Sequence, residues 1–236
     1  VSSKRYFHHP LYALFLISAL LSACAANQPE PPAKPIAETA TVSEPPVSEP
    51  SLPADEKPGP VDVYILPLDD FSDDAAVEMA KIVGREFGIW AKASLPLGAL
   101  PIQAFPGTRQ FAAEDIFEQA RAVMRRLPET DPNTHFVFLT NRDINSRARN
   151  FRFQFSFHDR VCRCSVISTA RMHQPADRNA NQAAATRLLK MTKRAIGEMD
   201  FGWTRSADIK DLMYAPIMSL DDLDAIGDRH PPIPLR

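Results

Sequence analysis

The stretch "KRAIGEMDFGWTRSADIKDLMYAPIM", Lys193 to Met218, decides how this chain is read. It begins inside a long predicted helix, "NQAAATRLLKMTKRAIGEM" over 181–199, in which Leu188, Thr192, Ala195, Ile196 and Met199 recur along one stripe. Gly202 then marks a turn, followed by Ser206 and Asp208 and by Leu212-Met213-Tyr214. A short helix is expected next, in "SLDDLDAIGD", with Ser219 and Asp222 as its cap and Leu223 and Ile226 pointing inward. No His lies anywhere in 193–218.

Working outward, "VDVYILPL" (61–68) is a short apolar run between prolines and reads as a buried strand. "DDAAVEMAKIVGREFGIW" is a helix: Ala76, Met79, Ile82 and Val83 recur at helical spacing, Asp73 and Asp74 sit at its start, and Gly88 suits its end. "LPLGALPIQAF" reads as an irregular second strand. "TRQFAAEDIFEQARAVMRRL" is an amphipathic helix with Phe111, Ile116, Ala120, Val123 and Leu127 on one face, stopped by Pro128. "THFVFLTNRDI" is a third strand. "NFRFQFSFH" alternates, with Phe151, Phe153, Phe155 and Phe157 on one face, and predicts a half-buried strand near an edge. "RVCRCSVISTARM" is a further strand. Strands that alternate with helices and then cluster predict an α/β (α+β) domain, a mixed sheet with packed helices.

The first sixty residues have another character. Lys4 and Arg5 precede the apolar run "LYALFLISALLSAC", which has the form of a secretory signal and is short for a membrane span. Leu21-Ser22-Ala23-Cys24 is similar to a bacterial lipobox, which implies a signal peptide over 1–23 and lipid on Cys24. An ordinary signal peptide cut nearby is the alternative. Ala25 to about Pro60 holds ten of the chain's 22 prolines and no aromatic residue, so 24–60 is expected to act as a semi-extended tether. The domain is assigned to 61–236, with its core over about 61–227. Its expected place is the cell envelope, at the outer membrane if the host is Gram-negative, because Ala25 replaces the Asp that retains lipoproteins in the inner one. Net charge is −2 at pH 7, and −4 once Lys4 and Arg5 leave with the signal, which points away from a nucleic-acid partner.

The order of elements, with "TRQFAAEDIFEQARAV", "FVFLTNRDI" and "VCRCSVISTARM", resembles the metzincins and among them the archaemetzincins. "GWTRSADIKDLMYAPIMSLDDLDAIG" is also similar to matrixins. The resemblance covers about 62–227 and implies a zincin-type active-site helix followed by a Met-turn-like loop at Met213. The family's chemistry needs two His one helical turn apart, a Glu beside the first, and a third His after a Gly turn. With Gly197 as the Gly inside the helix motif, those helix positions hold Arg194, Ala195 and Glu198. With Gly202 as the turn Gly, they hold Ala195, Ile196 and Met199. The third His position holds Arg205. No register recovers the ligands, and guanidinium does not bind zinc. The resemblance therefore implies a domain without catalytic residues or metal, in a binding or structural role toward an envelope protein or peptide. A divergent zinc-dependent hydrolase using other residues is the alternative. In the cleft, Glu198, Asp200 and Arg205 are expected to form an Arg–carboxylate pair, or else to be solvated at the helix end.

Other residues offer less. Cys162 and Cys164 read as small strand residues, a disulfide or, with His158, a metal site. His135, His158, His173 and His230 show no i, i+4 pair and are assigned polar or strand-end roles. Ser168, Ser206 and Ser219 lack a Gly-x-Ser-x-Gly context, and no Gly-rich phosphate loop occurs. Arg142, Arg147, Arg149 and Arg152 form a basic cluster around a loop, either solvated or facing an anionic partner or lipid head groups.

Overall fold

The computed structural model describes residues 59–148 and 151–231. The signal segment, Cys24, nearly all of the tether, and Arg149 lie outside the described residues.

The first strand, β1 (Val63–Pro67), is buried at every position because both of its faces are covered. Val63 and Ile65 enter one apolar cluster, and Tyr64 and Leu66 another on the opposite side. Helix α1 (Asp73–Phe87) follows. Its Ser72 Oγ accepts from Ala75 N, Asp73 and Asp74 occupy its first turn, and Gly88 closes it at φ 65°. Ala76, Met79 and Val83 are buried as predicted, whereas Ile82 is only half-buried.

The second strand is β2 (Ala91–Ala93), parallel to β1. It lies earlier than the irregular strand expected over 95–105. Pro96 and Pro101 lack the N–H that a ladder needs, and that segment makes only isolated bridges at Leu97 and Ala104. Phe111 belongs to a short strand, β3 (Gln110–Ala112), and helix α2 (Ala113–Met124) starts after it. The third predicted strand divides into β4 (His135–Thr140) and β5 (Asp143–Asn145), which pairs with β3 in a separate two-stranded ribbon. Thr140 Oγ1 accepts from Arg142 N at 3.1 Å and turns the chain between them.

The alternating segment is regular only over β6 (Ser156–Asp159), which runs antiparallel to β7 (Cys164–Ser168). The expected face of four phenylalanines is not formed. Gln154 bridges to Ile144 instead of to β7, so Phe155 packs in one cluster and Phe157 against the other, while Phe151 is exposed. The main sheet has the order β2-β1-β4-β7-β6, parallel except at the β6 edge. Helices α1 and α3 (Ala180–Asp200) cover one face and α2 the other. In α3 the predicted stripe Leu188, Thr192, Ala195, Ile196 and Met199 is buried throughout. The last helix, α4 (Leu220–Ala225), carries the expected capping box between Ser219 and Asp222, and Leu223 and Ile226 are buried.

Candidate functional site

Strand parity decides what faces α3. His135 shares its face of β4 with Val137 and Leu139, Ser165 shares its face of β7 with Ile167, and His158 lies opposite Ser165 across the β6–β7 ladder. These side chains meet the C-terminal end of α3 in one chain of hydrogen bonds. His135 Nδ1 lies 2.7 Å from Asp200 Oδ2, and its Nε2 lies 2.8 Å from Ser165 Oγ. Ser165 Oγ lies 2.7 Å from His158 Nδ1, and His158 Nε2 lies 3.2 Å from Ser156 Oγ. Arg163 also pairs with Asp200.

For a neutral His135 the polarity of this chain follows from its acidic end. A carboxylate accepts only, so His135 Nδ1–H donates to Asp200 and its Nε2 accepts the Ser165 hydroxyl proton. Ser165 has no second proton, so His158 Nδ1–H donates to Ser165 Oγ and His158 Nε2 accepts from Ser156. An Asp-His-Ser sequence invites a nucleophile reading, but Ser165 is fully buried and its hydroxyl proton is already committed. It is a relay that fixes the tautomer of His158. Burial lowers the pKa of His158 to about 3, helped by His135, Arg194, Arg205 and Arg160, so the ring is neutral at physiological pH.

The side of α3 that carries Arg194 lies near His158. Ala195, Ile196 and Met199 sit in the core, so the positions that reach the cleft are Arg194 and Glu198, one turn apart. Of the two registers, the one with Gly197 inside the helix motif puts its two ligand positions on this side; Ala195, beside Arg194, is fully buried. Gly197 has a packing role as well. A Cβ there would stand 2.0 Å from Trp203 Cε3, and Trp203 N donates to Gly197 O at 2.8 Å. Gly202, at φ 64°, turns the chain after α3, and Arg205 follows on the exposed side.

The expected Arg205–carboxylate pair is not formed. Glu198 pairs with Arg160 at 3.7 Å, Asp200 is held by His135 and Arg163, and Arg205 has no carboxylate partner among the described residues. Both acids already hold cations nearer in the fold. Arg194 donates to Leu212 O. Burial and then Arg205 push its pKa down to about 10, against Glu198 and Asp211, so it remains a cation at neutral pH.

The loop beneath is tightly built. Leu212 and Met213 are buried, Ser206 bridges Tyr214, and the Asp211 carboxylate accepts from Met213 N and lies 2.8 Å from His230 Nδ1. Burial raises the Asp211 pKa, but hydrogen bonds from Met213, His230 and Ser206 outweigh it and hold the carboxyl low. The His230 ring packs on Trp203, with centroids 4.7 Å apart.

Cys162 and Cys164 are joined by a disulfide. Cys162 and Arg163 occupy a turn, with Arg163 at φ 52°, so the two cysteines do not share a strand face as expected. The basic loop is largely paired: Arg142 with Asp69 and Arg147 with Asp115, while Arg152 is exposed. A cavity of about 600 Å³ involving Phe117, Met124, Phe136 and Cys162 lies on the α2 face, away from the cleft.

Among the described residues no group of three or more His, Cys, Asp and Glu is placed to hold a metal ion. The charged side chains at the end of α3 and in the turn after it, the guanidiniums of Arg194 and Arg205 and the carboxylate of Glu198, are a donor set that does not fit zinc. Sequence reasoning missed the His135–Ser165–His158 chain. Strand parity carried a signal for it, but only the pairing of β6 with β7 places the three residues together.

No protein-family model and no curated protein matches this chain. Solved structures do. A zinc-dependent peptidase from Methanocorpusculum labreanum matches with a TM-score of 0.58 at 17% identity, over 71% of this chain and 95% of that one. The archaemetzincin from Methanopyrus kandleri matches with a TM-score of 0.57 at 18% identity, over 75% and 92%. That from Archaeoglobus fulgidus, solved with malonate, matches with a TM-score of 0.53 at 18% identity, over 71% and 94%. The domain therefore has a metzincin-like fold.

Proposed function

We propose that this chain is a lipid-anchored envelope protein whose metzincin-like domain binds a partner protein or peptide in its cleft and does not hydrolyse it. One feature of the sequence supports the reading: neither register of the resemblance recovers three zinc ligands, and the end of α3 and the turn after it carry Arg194, Glu198 and Arg205 instead. A guanidinium offers no lone pair to a metal and stays protonated. Ala195, in place of the general base, has no group to move a proton. The anchor at Cys24 and the outer-membrane location rest on the lipobox-like sequence and the proline-rich tether that follows it.

A second reading, a divergent zinc-dependent peptidase, is favoured by the fold neighbours, which are themselves zinc-dependent peptidases. It would need ligands from outside the positions above. Metal analysis of the purified chain, with a peptide-hydrolysis assay before and after chelation, separates the two. Zinc well below one equivalent and no hydrolysis are expected. Stoichiometric zinc whose removal abolishes hydrolysis overturns the binding reading in favour of the peptidase.

A further inference from the structure

We propose that the Cys162–Cys164 disulfide is a thiol–disulfide exchange site, and that the cavity beside it on the α2 face seats the apolar flank of a cysteine-bearing peptide. The site stands apart from the cleft and does not depend on the reading given above.

The disulfide does little for the fold. One residue separates its cysteines, so the loop it closes is very short and the chain entropy it removes from the unfolded state is small. The turn that carries it is held by other bonds. Asp159 and Cys164 are paired in the β6–β7 ladder, and Val161 N donates to Asp159 Oδ1 at 2.7 Å. Arg163, between the cysteines, donates from Nε to Asn133 O at 2.7 Å and pairs with Asp200. Its own carbonyl accepts from Phe136 N at 2.9 Å. Breaking the S–S bond therefore leaves the turn in place.

The two sulfurs differ in access. Cys162 is half-buried and lines the cavity of about 600 Å³. Cys164 is fully buried, with Sγ 3.8 Å from Met124 Sδ. A thiolate arriving through the cavity therefore meets Cys162 Sγ. A bond forms between the incoming sulfur and Cys162 Sγ, the S–S bond breaks, and its electron pair leaves on Cys164 Sγ, which takes up a proton. The carbonyl of Cys162 lies 3.2 Å from Cys164 Sγ and accepts the new S–H. The products are a mixed disulfide at Cys162 and a buried thiol. Return attack by the Cys164 thiolate on Cys162 Sγ restores the disulfide and expels the partner's thiolate, so exchange needs no other oxidant or reductant. The cavity indicates the partner's chemistry. Phe117, Met124 and Phe136 supply apolar surface, Val161 stands at it 96% exposed, and charged residues of both signs line the rest. It therefore selects apolar surface rather than net charge, and its volume lies within the range of about 300–1,000 Å³ usual for ligand sites. Apolar side chains flanking a cysteine meet both conditions.

The oxidised full chain, mixed with either of two reduced thiols, N-acetyl-Phe-Cys-Phe amide or N-acetylcysteine amide, tests this. The reaction is quenched in acid and adducts are located by peptide mass spectrometry, so that Cys24 is not counted. The mixed disulfide should form on Cys162 and not on Cys164, at least about tenfold faster with the flanked peptide than with the bare thiol. Val161→Gln should narrow that advantage about threefold or more, while its melting temperature stays within about 2 °C of wild type because the side chain is exposed. Mixed with the peptide's symmetrical disulfide, Cys164→Ser should keep an adduct on Cys162, and Cys162→Ser should stay unmodified because its remaining thiol is buried. The variant with both cysteines replaced by Ser should melt no more than about 6 °C below wild type. Adducts on Cys164, equal rates for the two thiols, or an advantage that survives Val161→Gln overturns the proposal. So does a disulfide that exchanges only in denaturant, or a larger fall in melting temperature when both cysteines are replaced.

Discussion

Replacing Gly197 by Ala tests the packing beneath the cleft, because two opposed effects predict opposite signs. Taken alone, a mid-helix Gly→Ala change stabilises by about 1 kcal/mol. Here the new Cβ would lie 2.0 Å from Trp203 Cε3 and 2.7 Å from both Cδ2 and Cζ3. These are ring atoms, not the end of a flexible chain, so the whole indole must move. Trp203 packs on His230 at 4.7 Å, Phe87 at 5.6 Å and Phe201 at 6.0 Å between ring centroids. Overpacking costs roughly 1–3 kcal/mol, and disturbing the aromatic contacts costs about 0.5–1.5 kcal/mol for each pair lost. With the helix gain subtracted, Gly197→Ala should destabilise by about 2–3 kcal/mol. At roughly 2–4 °C per kcal/mol for a domain of this size, the melting temperature should fall by about 4–12 °C. Urea denaturation followed by far-ultraviolet circular dichroism and by tryptophan emission measures both the loss and the displacement of Trp203. The same substitution in a Trp203→Ala background should become neutral or stabilising, since the clash is gone. If Gly197→Ala raises stability in the wild-type background, the close approach of Trp203 to α3 is wrong.

The other predictions concern the relay. His158, with its pKa lowered to about 3, should stay neutral in imidazole NMR spectra from pH 8 to 4, and a midpoint near 6.5 would contradict the burial of its ring. Its folded pKa lies below the unfolded value of about 6.5, so the unfolded state takes up the proton first. The contribution of His158 is therefore present above about pH 6.5 and is lost as pH falls toward 3, at no more than about 1.4 kcal/mol per pH unit, a slope that His158→Gln should flatten. Asp200→Asn leaves an acceptor for His135 but removes the charge opposite Arg163 and should cost roughly 1–3 kcal/mol in denaturant titrations. A loss under about 0.5 kcal/mol would show that the relay is not anchored there.

Elements with a strong period were readable in the sequence. The stripe of α3, the cap of α4 and the buried run of β1 each follow from local spacing, and the structure has all three. The failures share a cause. The Phe151–Phe157 alternation satisfied a strand pattern, yet register is set by the partner, and Gln154 pairs with Ile144 rather than with β7. Cys162-Arg163-Cys164 was read as extended, but Arg163 takes a left-handed turn before β7 begins. At the cleft, residue identities were legible and pairings were not. Glu198, Asp200 and Arg205 are close in sequence, but partners distant in sequence, Arg160, Arg163 and His135, claim the two acids. Competition of that kind is settled only when the sheet brings β4, β6 and β7 against α3.

Under the proposed reading, the fold can keep its shape without zinc because its parts are held by forces in which a metal plays no role. Leu212 and Met213 are buried, Asp211 ties their loop through Met213 N and His230, and α3 is fixed by its apolar stripe. On that reading, the arginines at this end of α3 also oppose a divalent cation. At an effective dielectric constant of about 20, a doubly charged ion about 4 Å from one guanidinium meets a repulsion of roughly 8 kcal/mol. Arg194 and Arg205 both add repulsion of that sign, and the carboxylates acting on Arg194, Glu198 and Asp211, offset part of it. One His restored at position 194 would leave Arg205 opposing the ion, and one restored at 205 would leave Arg194. Under the proposed reading, the barrier to metal binding therefore lies in the charge at this end of α3 as much as in the missing ligands.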